Sequence, residues 1–298
     1  MKILVTGASG FIGRRLCAAL ERAGHTVQAM TRRPASYQGA GHPVGADVHD
    51  PDSTIQALAG CDVAYYLVHS LGERDFRRRD AEAARGFARS AEQAGIERIV
   101  YLGGLGDGND TLSEHLASRR EVGDLLAGGA VPLTTLRAGI IVGHGGISWE
   151  MTRQLVEHLP VMVAPRWVHT RTQPIAVADA VRYLVGVLDR SDTLGGSYDV
   201  GGPDVLAYLD MLRRVAAIQE RRRLIMPVPL LTPSLSSRWL SLVTDVDTPT
   251  GRALIDSMAN EVVVRDDAIR RLVPFEPMDY DDAVRAALDE RAAARRAR

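Results

Sequence analysis

Three glycines spaced three apart stand near the start of the chain, in Thr6-Gly7-Ala8-Ser9-Gly10-Phe11-Ile12-Gly13. This spacing suits the binding of a dinucleotide pyrophosphate. Gly7 permits a tight turn. Gly10 lets the backbone approach the phosphates, whose charge then sits at a helix amino terminus. Gly13 lets helix and strand pack closely. The contacts expected around the nest are Thr6, Gly7, Ser9, Gly10, Phe11, Ile12 and Gly13. A lone glycine triplet is weak evidence, so context decides. Met1 to Val5 reads as a buried strand, and Arg14 to Ala23 reads as a helix with Leu16, Ala19, Leu20 and Ala23 on one face.

A site of this kind that prefers a free ribose places Asp or Glu at the end of the second strand. Here that place is Thr31-Arg32-Arg33, with no acid nearby. Arginine matches a ribose 2′-phosphate in charge and in its planar donor fork. The expected cofactor is therefore NADP(H) rather than NAD(H), with Arg32 the first contact and Arg33 the second. A solvated basic loop is the competing reading. Asp47 and Val48 are placed beside the adenine, with a plain turn aspartate as the alternative.

Further along, His69 and Ser70 directly follow a strand, at the end where an open parallel sheet binds its ligands. A histidine there is a candidate proton donor near neutral pH. A ribose-contacting or loop-capping role accounts for it equally well. The same rule puts Val68, Gly103 and Gly139 along the cofactor. His115 and Arg119 lie one helical turn apart on a shared face. They are candidates for the catalytic and cofactor sides of the site, or simply a solvated surface pair.

The elements that must position these residues alternate. Strands read at Thr26 to Met30, Pro43 to Ala46, Asp62 to Val68, Arg98 to Leu102 and Leu133 to Val142. Helices read at Pro51 to Ala59, Asp75 to Ala94 and Glu114 to Leu126. Such alternation predicts an α/β fold, a Rossmann doubly wound parallel sheet with right-handed crossovers. After Gly143 the pattern loosens. Trp149 to His158 and Ala176 to Leu188 read as helices and Ser197 to Val200 as a last strand. Residues 1–145 are assigned to the dinucleotide-binding core. Residues 146–298 form a mixed region. It returns a late helix and strand, about 171–202, to the core and builds a smaller C-terminal substrate cap. Trp149, Trp167 and Trp239, with Met151, Met162 and Met226, fall in that region, either lining a flat apolar pocket or packing the cap.

Composition sets bounds. The 298 residues are 46% hydrophobic, enough for a full core, and the net charge of −1 gives no case for nucleic acid or an anionic membrane. Pro227, Pro229 and Pro233 rule against a membrane helix in the apolar stretch from Leu224 to Val243. Cys17 and Cys61 read as buried free thiols. The opening strand leaves no place for a signal peptide, and a cytoplasmic protein is expected. No His or Cys cluster has metal-ligand spacing, so no metal site is expected. Arg291 to Arg298 reads as a frayed, solvated end. The expected partner is a small-molecule substrate, and the chain a monomer or homodimer. Lys2 is the only lysine.

Taken together, Thr6-Gly7-x-x-Gly10-x-x-Gly13, the strand at Asp62, Arg137-Ala138-Gly139 and Gln173-Pro174-Ile175-Ala176-Val177-Ala178-Asp179 resemble the short-chain dehydrogenase/reductases. The match is to their extended and atypical branches, similar to NmrA-like and triphenylmethane-reductase-like NAD(P)H-binding proteins. The resemblance covers about residues 1 to 200. It implies a Ser or Thr after the fifth strand and Tyr-x-x-x-Lys on the next helix. This chain departs from that set. Gly103-Gly104-Leu105-Gly106 stands at the serine place, and His115-Leu116-Ala117-Ser118-Arg119 where the Tyr and Lys would fall. With Lys2 already inside the first strand, no lysine remains for the role. Two readings follow. Either hydride passes to a small apolar or conjugated acceptor that needs little acid help, or the site binds NADP(H) without turnover as a redox sensor or regulator. A nucleotide-sugar epimerase or dehydratase ranks third, because it too needs proton shuttling at the tyrosine place.

Overall fold

The computed structural model describes residues 1–73, 75–106, 112–164, 166–227, 245 and 247–297. Short apolar runs separated by amphipathic helices build its centre. β1 (Lys2–Val5), α1 (Phe11–Arg22), β2 (Thr26–Thr31), β3 (His42–Gly45), α2 (Pro51–Leu58), β4 (Val63–Tyr66), α3 (Phe76–Gln93), β5 (Arg98–Gly104), α4 (Glu114–Ala127) and β6 (Leu133–Ala138) follow one another. Then come β7 (Ile141–Val142), α5 (Ile147–His158), β8 (Val161–Ala164), β9 (Arg171–Thr172), β10 (Ile175–Ala176), α6 (Val177–Gly186) and β11 (Ser197–Val200). The last elements are β12 (Leu206–Ala207), α7 (Tyr208–Ile218), β13 (Leu224–Pro227), α8 (Thr248–Ser257), α9 (Ala268–Leu272) and α10 (Tyr280–Arg296).

Seven strands form a parallel sheet in the order β11-β6-β5-β4-β1-β2-β3. The order reverses between β1 and β4, which opens a crevice at their carboxyl ends. Side chains alternate across the strands, so each face has its own core. Tyr65 joins Leu16 and Leu20 of α1 and Leu184 of α6 on one face. Its hydroxyl donates to the Leu184 carbonyl at 2.7 Å. Tyr66, its neighbour, joins Phe87 of α3 and Val122 of α4 on the other. A third core gathers Trp149, Met151 and Met162 with residues of α7, α8 and α10. These aromatic and sulfur side chains are therefore core packing, whereas Met226 is exposed. Trp239, Pro229 and Pro233 lie outside the described residues.

Three expectations need correction. The sixth strand does not run unbroken to Val142. Its neighbour β5 ends at Gly104, opposite Ala138. With no ladder partner beyond that point, the chain turns away, and Ile141–Val142 pairs instead with β10. Conversely, β5 extends two residues further than expected, through Gly103 and Gly104. The third correction is the tail. Most of it is the end of α10, and Arg291 reaches Glu157 of α5 at 2.5 Å, both side chains more than four-fifths buried. Glu157 also pairs with Arg153. Burial favours the neutral carboxyl, but the two guanidinium groups outweigh it and hold Glu157 below its ordinary range. Cys17 and Cys61 are free and buried, and burial pushes the Cys17 thiol up to about 11. No described helix is long and apolar enough to cross a membrane.

If the terminal helix is part of the fold, Arg291→Ala lowers stability by about 1–2 kcal/mol. Arg295→Ala, in the exposed last turn, leaves it nearly unchanged. Urea unfolding midpoints of the two variants check this, and equal midpoints would restore the frayed-end reading.

Candidate nucleotide-binding site

The opening turn is built by two glycines. Gly7 adopts φ +62°, which only glycine takes without strain. A Cβ on Gly13 would lie 2.2 Å from the Gly7 carbonyl oxygen, so α1 sits on the turn closer than any side chain permits. Gly10 is the residue before the helix, and the first turn carries no acid. The amide end of the helix is thus left without its own countercharge. Lys2 lies at the amino end of β1, remote from this turn, and donates to the Ala59 carbonyl at 3.1 Å.

Beside the turn runs a cleft of about 810 Å³. Its walls bring together Gly7, Ser9 and Gly10 of the turn, Arg32 and Arg33 after β2, Asp47 and Val48 after β3, and Val68, His69 and Ser70 after β4. These are the loops that follow β1, β2, β3 and β4. Ser36, Tyr37, Gln38 and Gly39 also line it, as do Arg14, Glu73 and Arg79. Arg32 and Arg33 are exposed. Asp47 shapes its own turn, accepting from the His49 amide at 3.0 Å and from the Thr54 hydroxyl through its carbonyl at 3.0 Å.

Other expected contacts stand elsewhere. Thr6 is fully buried, and its hydroxyl accepts from the Leu67 amide at 2.9 Å, strapping β1 to the end of β4. Phe11 packs against Gly143 and Gly146 with the Arg15 guanidinium 4.7 Å above its ring. Ile12 packs against the core under α1, and Gly13 is buried there. Gly103 lies inside β5 against the Tyr101 ring, and Gly139 lies against Thr172 and Val262. None of these six lines the cleft.

The remaining candidates form a second group. Arg119 donates to the Leu102 carbonyl and stacks 5.2 Å from the Tyr101 ring centre. His115 and His69 both lie in its field. Loss of hydration pushes His115 down to about 3, with Arg119 and then His69 adding to the shift. The crevice walls and then Arg119 push His69 down to about 4, although its ring is open to solvent. Both shifts favour the neutral imidazole, and His69 Nδ1 accepts from the Leu71 amide at 3.4 Å. Behind them, buried Asp80 accepts from the Ser70 amide at 2.7 Å and approaches the Ser118 hydroxyl at 3.5 Å. Asp80 fixes the loop that presents His69. Sequence reasoning missed it because an aspartate within a charged helix gives no signal of burial. Among the described residues, no His, Cys, Asp or Glu cluster is placed to hold a metal ion.

A cleft with this glycine turn at a sheet switch point defines a nucleotide-binding α/β protein. Residues 7–141 match the NAD(P)H-binding family. An uncharacterised protein of Mycobacterium tuberculosis is 29% identical over 244 residues, covering 82% of this chain and 26% of that protein. The chain therefore spans about a quarter of the length of that relative. The mitochondrial NADH dehydrogenase [ubiquinone] 1 alpha subcomplex subunit 9 of Arabidopsis thaliana is 27% identical over 218 residues, covering 67% of this chain and 54% of that subunit. Among solved structures, a nucleoside-diphosphate-sugar epimerase from Staphylococcus aureus superposes with a TM-score of 0.76 at 15% identity, covering 95% of this chain and 99% of the epimerase. Residues 7–141 are thus similar to the NAD(P)H-binding family, and the chain shares the Rossmann fold of these solved structures.

Two outcomes follow from the geometry. Arg32→Glu weakens NADPH by about tenfold or more and NADH far less, read by calorimetry; equal losses would place the 2′-phosphate elsewhere. The second concerns pH. His115 stays neutral in the fold but takes a proton when unfolded, so below its ordinary pKa of about 6.5 the unfolded chain binds the extra proton. Wild type should lose stability relative to His115→Gln as pH falls from about 6.5 toward 3 and match its pH trend above 7. Parallel pH trends in thermal unfolding would contradict this.

Proposed function

We propose that the chain is an NADP(H)-dependent reductase that delivers hydride to a small apolar or conjugated acceptor. When bound, the nicotinamide supplies the hydride. The residues fit such a group, because Gly7, Ser9 and Gly10 of the turn line the cleft and the same cleft carries Arg32 and Arg33 without a ribose-binding acid after β2. The observation that carries the reading is the placement of His69 and His115 around Arg119, with Gly103 and Gly104 closing β5 where the resembled set has a hydroxyl. An imidazole with a lowered pKa is neutral at pH 7 and only a weak acid through its remaining N–H, and general acid catalysis works best with a pKa near the working pH. An acceptor that needs no strong acid, such as a quinone or an enone, then suits the site. The chain's contribution is orientation and exclusion of water by the cap. Two buried free thiols fit a reducing, cytoplasmic setting.

A second reading has support from the lack of a working acid near His69 and His115 among the described residues. The chain would bind NADP(H) without turnover, as a redox sensor or regulator, and its similarity to a subunit of the NADH dehydrogenase [ubiquinone] 1 alpha subcomplex fits that role. Epimerase or dehydratase chemistry ranks below both, because it needs a proton shuttle.

The deciding experiment follows NADPH oxidation with a panel of quinones, enones and aldehydes between pH 6 and 8. The reductase reading expects multiple turnovers and a flat pH profile that His115→Gln barely alters. No oxidation across the panel, with NADPH still bound, would leave the binding-only reading. A bell-shaped profile near pH 7 that vanishes in His69→Ala would overturn the acid-free mechanism.

A further inference from the structure

We propose that Arg79 is a phosphate-contacting residue of the nucleotide site, and that Glu73 occupies it until the nucleotide arrives. The proposal rests on the NADP(H)-binding reading and adds a residue that no glycine or ribose motif points to.

The cleft wall carries the guanidinium groups of Arg14, Arg32, Arg33 and Arg79 and the carboxylates of Asp47 and Glu73. Asp47 is engaged with its own turn. Glu73 is different. Its carboxylate lies 2.8 Å from Arg79 Nε, inside a cleft otherwise suited to an anion. The alignment is poor, so Nε is buried without a hydrogen-bond partner. The cation stands on a rigid element. Arg79 follows the first turn of α3, and the next residue, Asp80, is anchored on the Ser70 amide. The acid stands on a loop, held by its own amide to the Ser70 carbonyl at 2.9 Å and preceded by Gly72 at φ +100°.

These facts decide which partner leaves. The Arg79 and Glu73 side chains are 39% and 49% exposed, and ion pairs that open to water are weak. A phosphate offers more charge and more acceptor oxygens to the guanidinium fork than a carboxylate does. A bound polyanion would also repel Glu73 across the same cleft. Exchange of Glu73 for phosphate keeps Arg79 paired and removes the repulsion. The phosphate belongs either to the diphosphate or to the ribose, and the two are separable by experiment.

Calorimetry on the full chain with NADPH and with NADH tests the exchange. Arg79→Ala should weaken binding by about tenfold, with Arg79→Lys recovering part of the loss. Glu73→Gln should tighten binding several-fold in wild type and less in the Arg79→Ala background. A loss confined to NADPH assigns the contact to the 2′-phosphate, and a loss for both assigns it to the diphosphate. Thermal midpoints confirm that each variant is folded. The proposal is overturned if folded Arg79→Ala binds both nucleotides within about twofold of wild type, or if Glu73→Gln weakens binding. Failure of wild type itself to bind either nucleotide would instead remove the reading beneath it.

Discussion

The contact between Gly13 and the Gly7 carbonyl is the constraint on which the site depends. It seats the amino end of α1 against the turn leaving β1, with no room for a Cβ between them. The same seating brings Gly7, Ser9 and Gly10 onto the wall of the cleft. Because β1 is flanked by β2 and β4, the turn lies where the strand order reverses, and the chain ends of both neighbours converge on it. Arg32 and Arg33 arrive from β2, and Val68, His69 and Ser70 from β4. Thr6 secures the second convergence by accepting from the Leu67 amide. A residue expected among the ligand contacts thus serves the site by holding two strand ends together.

How much the sequence disclosed follows from the range of the forces involved. The glycine spacing and the strand-helix alternation are local patterns, and the structure matches them. The end of β6 was not legible, because it is set by where the neighbouring β5 stops. The role of Arg291 was hidden for the same reason, since Glu157 lies 134 residues away. Within the site, the loops after β1 to β4 were correctly gathered by one topological rule. Gly103 and Gly139 were placed in the crevice by that rule too, yet they are enclosed by Tyr101, Thr172 and Val262. A strand end near the crevice does not guarantee a surface on it. Tyr37 and Glu73 line the cleft from segments without periodicity or motif, and Arg79 from α3 belongs to no motif, so nothing nearby in the chain marks them as site residues.

The histidine and arginine on α4 show why similarity of position does not carry function. In the set this chain resembles, a lysine lowers the pKa of a tyrosine. A phenol starts near 10, so a nearby cation moves it toward neutrality, where it exchanges protons readily. An imidazole starts near 6.5, and the same cation moves it away from neutrality. Arg119 acts on His115 in this second sense, and burial acts in the same direction. Arginine also stays protonated at any physiological pH, so it cannot relay a proton as a lysine can. Its guanidinium is committed besides to the Leu102 carbonyl and the Tyr101 ring. The pair His115 and Arg119 therefore keeps the cation but loses the acid. Neither member of the pair is among the residues that line the cleft beside the glycine turn, so likeness of position on α4 does not by itself bring a group into that cleft.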